Sequence, residues 1–354
     1  MRYHGLDLLR GVAMLLGVVL HAMLLFQAPE IIPKVLPEAR VTPPPTAPAT
    51  WAATLWIHVW RMPLFFVLAG FFAELVIARR GLWHFARDRA TRIALTLLVF
   101  VTVLGLVLQR SVLTLDHLWF LWFLALFCAA RVGLGALGVT TPALPARAML
   151  PVALAVFIVA ATARINGFWH VIPLRADDFV WQGFLLYAAY FVTGLLLYHA
   201  RGVVERLARR IVWITLLGVG MAAFVTMFLL LGSDPNALAM APLSGLTTWA
   251  WTFGLIGMAQ ALVRQPRRWI AWLVDASYPV YLFHLYPTLL FSALLIEAEV
   301  PQGWAIAGAS AGGMIAAFGL WYLLVRYTPL DWIINGYHKA WWRWPFAPNG
   351  WRAR

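Results

Sequence analysis

Cysteine is almost missing from this chain: Cys128 stands alone among 354 residues. An intramolecular disulfide is therefore excluded, and with it any CxxC metal or redox centre. No Walker loop occurs, which removes that glycine-rich phosphate cradle. Charge is scarce too, at 12% of residues, and acidic charge is scarcest, with 14 Asp+Glu against 27 Lys+Arg. Ten-residue segments of alternating polarity are also lacking, so a porin-type barrel is not expected.

What fills the chain instead is apolar. Hydrophobic residues make up 63% of it and the mean hydropathy is +0.79, beyond what a soluble domain of this length shows. The apolar residues gather into ten runs long enough to cross a hydrocarbon core. They lie at roughly 8–28, 53–77, 93–110, 117–135, 149–164, 179–199, 211–231, 243–263, 277–296 and 304–326. The expectation is an all-α polytopic membrane protein, a single membrane domain over residues 1–354. The first run carries Arg10 and His21 and no small-x-small cleavage signal follows it, so it reads as a mature helix. The stretch 29–52, which includes VTPPPTAPAT, reads as an extended outer spacer. The tail 327–354, ending WWRWPFAPNGWRAR, reads as a basic-aromatic interface anchor, and GASAGG near residue 308 as close helix packing.

Arginine placement sets an expected orientation. With both termini inside, 21 of the 27 Lys+Arg face the cytoplasm and six face out, as the positive-inside rule demands. The excess basic charge is then a topological signal and calls for no nucleic acid.

Ionisable residues inside apolar spans are expensive and become functional candidates. In LDLLRGVAMLLGVVLH, Arg10 and His21 are eleven residues apart, which puts them on one helix face about 16 Å from each other. Asp7 and Arg10 are one turn apart; they equally suit an N-terminal cap beside a snorkelling arginine. His58 and Arg61 share a face at the outer mouth of the second span, where a purely interfacial role is the competing reading. His117 opens the fourth span, and His284 lies deep in the ninth. The outer loop FWHVIPLRADDF adds His170, Arg175, Asp177 and Asp178, a set that reads as solvated. The connection from Arg79 to Arg92, with Arg80, Arg87 and Arg89, is a basic platform suited to phosphate oxygens, or else only a topological signal. No HxxxH or HxH spacing supports a metal.

Together these give a basic inner face and an imidazole base with nearby cations on the outer face. Acyl transfer from a coenzyme A thioester to an outer acceptor would use both. A proton-coupled transporter or flippase with a histidine relay also fits the residues, and a structural membrane partner is the third reading.

Five segments in order, LDLLRGVAMLLGVVLH, HVWRMPLFFVLAGFFAEL, RDRATR, HLWFLWFL and DASYPVYLFHLYP, resemble the acyltransferase 3 family of integral membrane acyltransferases. The resemblance covers residues 6 to 330. It implies that His21 is the general base on the acceptor hydroxyl and that Arg89 and Arg92, as an Arg-x-x-Arg motif, serve the acyl-CoA side. It further implies that Arg10, His58, Arg61, His117 and His284 are site residues. The donor it implies is acyl-CoA, succinyl-CoA before acetyl-CoA. The acceptor would be a periplasmic glucan or other cell-envelope glycan, and the location the bacterial inner membrane.

Overall fold

The computed structural model describes residues 3–163, 172–231, 237–263, 265 and 267–335. The aromatic tail from 336, and Arg164, His170 and Arg264, lie outside them. Helix dominates the described residues. Extended backbone pairs only at one bridge, Thr114 with Arg175, flanked by hydrogen bonds from Leu115 N to Leu174 O (2.8 Å) and from Ala176 N to Leu113 O (2.8 Å). Continuous helix is what an apolar chain must form where no water can serve its backbone.

In chain order the helices are α1 (His4–Ala22), α2 (Leu24–Gln27), α3 (Ile32–Val35), α4 (Pro48–Arg80) and α5 (Leu82–Arg89). A π-helical turn (Ala90–Leu95) leads into α6 (Thr96–Val107), followed by α7 (Trp119–Ala136), α8 (Met149–Ala163), α9 (Trp181–His199) and α10 (Arg201–Leu207). Then come α11 (Arg210–Leu231), α12 (Ala237–Leu262), α13 (Arg268–Phe283), α14 (Leu285–Glu297), α15 (Gln302–Leu320) and α16 (Pro329–Asn335). Among the described residues each of the ten apolar runs is largely helical. Among the described residues seven helices are long and apolar enough to cross a membrane, and α13 with α14, bent by 66°, form an eighth span if taken as one. The helix at Met149–Thr162 is apolar but shorter.

The chain divides into two compact units: residues 1–10 with 58–267, and 11–57 with 268–354. In the first, α4 and α9 cross at glycine. A Cβ on Gly70 would fall on the Phe191 carbonyl, and one on Gly194 on the Val67 carbonyl, so only glycine lets these backbones approach. Phe66 packs beside this crossing against Phe120, Phe127, Trp119 and Tyr187, with centroids 4.8–6.5 Å away. Pro63, inside α4, has no N–H for the Val59 carbonyl one turn earlier. The buried Thr248 hydroxyl of α12 lies 2.9 Å from that oxygen and 2.7 Å from Ser244 O, one proton serving two carbonyls.

In the second unit, Val18 of α1 packs with Val280 and Ala317, and Leu25, Phe26 and Ile32 pack with Leu285, Leu289, Ala293 and Ile296 of α14. The α13–α14 bend has a local cause. Pro287 can neither bond nor clear the carbonyl of Phe283, four residues before it, so the helix breaks there and restarts. On the far side of α14, Gly313 of α15 meets Thr288, a close approach of the kind expected for the GASAGG stretch.

The stretch after α2 carries no helix over residues 39–47 but is held to its neighbours. It turns through a 3₁₀ segment (Pro29–Ile31) and α3, then is tied down along its length. Glu297 Oε2 accepts from the backbone N–H groups of Arg40 (2.9 Å) and Val41 (3.0 Å), and Gln302 Oε1 accepts from Ala47 N (3.0 Å). Thr46 Oγ1 donates to Phe26 O at 2.5 Å. Proline denies this segment ladder partners, but side-chain acceptors on α14 and α15 replace them.

Candidate active site

His21 is the penultimate residue of α1, and the Ala22 carbonyl after it accepts from the buried Ser292 hydroxyl of α14 at 3.2 Å. His284 sits at the α13–α14 break and is 1% exposed. The two imidazoles meet: His21 Nδ1 and His284 Nε2 are 2.8 Å apart, with ring centroids 5.0 Å apart. The other ring nitrogen of His284, Nδ1, is 2.8 Å from the backbone carbonyl of Tyr281. The Pro287 break thus leaves a buried histidine at the bend between two apolar helices with both its nitrogens engaged. Both histidines belong to the second unit.

The remaining candidates belong to the first unit. Arg10 lies 3.8 Å from Asp7, one turn away, and its guanidinium covers the Phe72 ring at 5.3 Å. Gly81, at φ +86°, turns the chain from α4 into α5, a conformation that side chains disfavour. That turn presents the basic segment. Asp88, buried in it, pairs with Arg89 at 3.3 Å and with Arg92 at 3.7 Å, and Arg89 also covers Phe85 at 5.4 Å. Arg92 falls in the π-helical turn, whose extra residue rotates it relative to an unbroken helix. Arg80 stands apart from this group, 3.3 Å from His84, and Arg87 is exposed.

Arg61 and His117 are each 7% exposed, while His58 is half-buried one turn before Arg61. His117 enters α7 through a 3₁₀ turn that begins at Asp116, whose φ of +45° is held by an ion pair with Arg110. In the loop beyond, Arg175 and Asp177 form a two-armed pair at 2.8 and 2.9 Å; the guanidinium holds that carboxyl below its ordinary value.

Two acidic residues escaped the sequence reading. Asp88 could have been found, since RDRATR puts it within reach of both arginines. Glu74 could not. It lies in α4 with a side chain 5% exposed, and accepts from Arg131 Nε of α7 (2.6 Å) and Thr141 Oγ1 (2.8 Å). His199 Nε2 of α9 lies 3.1 Å away. Among the described residues no group of three or more His, Cys, Asp or Glu is arranged to hold a metal.

Apolar helices long enough to span a bilayer, with buried arginines and histidines along them, define a polytopic membrane protein whose ionisable groups are kept for a purpose. The profile of the acyltransferase 3 family, described as an acyltransferase domain, matches residues 3–326, and the chain belongs to that family. It is a membrane acyltransferase. Neither the curated proteins nor the solved structures contain a match to it.

Proposed function

We propose that this acyltransferase moves an acyl group from cytoplasmic acyl-CoA to a hydroxyl of a periplasmic glucan or another cell-envelope glycan, with His21 as general base. The protein would sit in the bacterial inner membrane with both termini in the cytoplasm. One observation carries the reading: a histidine at the end of a membrane-spanning helix, hydrogen-bonded at 2.8 Å to a second, buried histidine. An imidazole is suited to take a proton from an alcohol near neutral pH.

The donor side rests on Arg89 and Arg92. Both are partly exposed and both are steadied by Asp88, and a guanidinium is the group whose geometry matches phosphate oxygens. Arg80 and Arg87 add to the positive field of this segment. Arg10, paired with Asp7, would act from the opposite end of the helix that bears His21. Arg61, His58 and His117 would serve the acyl and acceptor side, where a buried guanidinium suits either a developing oxyanion or the free carboxylate of a succinyl group. Succinyl is favoured over acetyl because the chain's motifs look most like those of glucan biosynthesis protein C.

The test uses purified protein and labelled acyl-CoA. Free coenzyme A should appear only when a glycan acceptor is supplied, and His21→Gln should abolish it. Glycan accumulation without consumption of acyl-CoA would instead mark a transporter or flippase. The glycan mass profile of cells with and without the protein then decides between succinyl and acetyl increments. If Arg61 holds a succinyl carboxylate, Arg61→Gln should slow succinyl transfer more than acetyl transfer, and equal losses would remove that role.

A further inference from the structure

Hydrogen-bond direction along the histidine pair fixes more than proximity. A backbone carbonyl can only accept, so the contact from His284 Nδ1 to Tyr281 O (2.8 Å) requires the proton on Nδ1. A neutral His284 then carries a bare lone pair on Nε2. That nitrogen lies 2.8 Å from His21 Nδ1, which must therefore be the donor. His21, in turn, is left with its lone pair on Nε2.

We infer that His284 is a positioning residue: it locks His21 in the Nδ1–H tautomer and so makes Nε2 the atom that takes the acceptor's proton. The inference rests on the reading of His21 as the base. The acceptor oxygen attacks the thioester carbonyl while its proton passes to His21 Nε2. The C–S bond breaks, the same Nε2–H protonates the leaving thiolate, and both imidazoles end neutral. While His21 is imidazolium, its Nδ1–H bond to His284 Nε2 becomes charge-assisted, and the Tyr281 carbonyl lies at the far end of the chain.

The chemistry of the site explains why an imidazole, rather than a carboxylate, does this work. His284 is 1% exposed at the bend between two apolar helices, where a fixed negative charge would stand uncompensated whenever His21 is neutral. A neutral ring orients the base without one. The Pro287 break makes the arrangement possible, because it interrupts the helix at the residue whose ring must reach back to Tyr281.

The test reads the tautomer directly. The full chain, carrying ¹⁵N-labelled histidine rings, is placed in lipid nanodiscs at alkaline pH without substrate, and the His21 resonances are assigned as those lost in His21→Gln. The expected result is a protonated Nδ1 and a bare Nε2. In His284→Ala, His21 should revert to the Nε2–H form that free imidazole favours, and kcat should fall about a hundredfold with little change in KM for acyl-CoA. His284→Gln, whose amide oxygen can accept from His21 Nδ1, should keep the tautomer and recover much of kcat. A wild-type His21 that carries its proton on Nε2 overturns the inference, as does a folded His284→Ala protein whose His21 tautomer is unchanged. If the tautomer is as expected but no acyl-CoA is consumed, the proposed activity fails instead.

Discussion

Arg89 and Arg92 reach the two oxygens of the same buried carboxylate, and this constraint decides what each can do. Asp88 takes one arm of each guanidinium, at 3.3 and 3.7 Å, while their side chains stay 25% and 31% exposed. A planar fork tied at one edge is held in a fixed orientation. Lysine in the same place keeps the charge but loses the fork. Arg89→Lys should therefore raise KM for acyl-CoA about tenfold, a loss of about 1.4 kcal/mol, with kcat largely kept. Steady-state kinetics at fixed ionic strength would show it. A fall in kcat with KM unchanged would mean that the residue acts on the reaction and not on donor binding.

The same residues show where reading along the chain stops. Asp88 and its arginines are neighbours in sequence, so their pairing was within reach. His21 and His284 each stood out as ionisable groups in apolar runs, but their partnership spans 263 residues and becomes visible only when α1 and the α13–α14 break pack together. Glu74 gave no local sign at all. Its partners come from α7, from the connection after α7 and from α9, and no periodicity announces a carboxylate that three separate segments share.

At the scale of elements, proline and charge explain how the helices hold one another. Pro63 strips the Val59 carbonyl of its helical donor, and Thr248 of α12 supplies a hydroxyl in its place. Thr248→Val should lower stability in detergent by about 1 kcal/mol. Pro63→Ala restores the missing N–H and makes the hydroxyl redundant, so in the double variant Thr248→Val should cost markedly less. A thermal-unfolding double-mutant cycle measures that coupling, and strict additivity would remove the explanation.

The Glu74 cluster is a stronger tie. Arg131 is only 9% exposed, so Glu74→Gln would leave a buried guanidinium without its counter-charge, at about 3 kcal/mol. Pairing it with Arg131→Met should restore most of the loss, since the charge is then gone as well. Apolar runs made the helices themselves legible. The stretch 29–52 was only partly legible, because its prolines describe what its backbone cannot do, while the acceptors that hold it, Glu297 and Gln302, lie more than two hundred residues away.

At the scale of the whole molecule, the distribution of arginine demands one orientation, and the chain offers a clean way to test it. Its only cysteine, Cys128, is buried, so Cys128→Ala gives a background free of thiols. Lys34, in α3, and Arg209, between α10 and α11, are both exposed and lie on connections that the positive-inside rule sends to opposite faces. A cysteine at position 34 should react with a membrane-impermeant maleimide on spheroplasts. One at position 209 should react only after the membrane is opened. The reverse pattern would put the Arg89–Arg92 segment on the side without coenzyme A, and no cytoplasmic thioester could then reach it. Labelling at both positions in intact cells would mean that an odd number of crossings between them is wrong for this chain, and the assignment of its shorter helix, α8, to a full span would have to be changed.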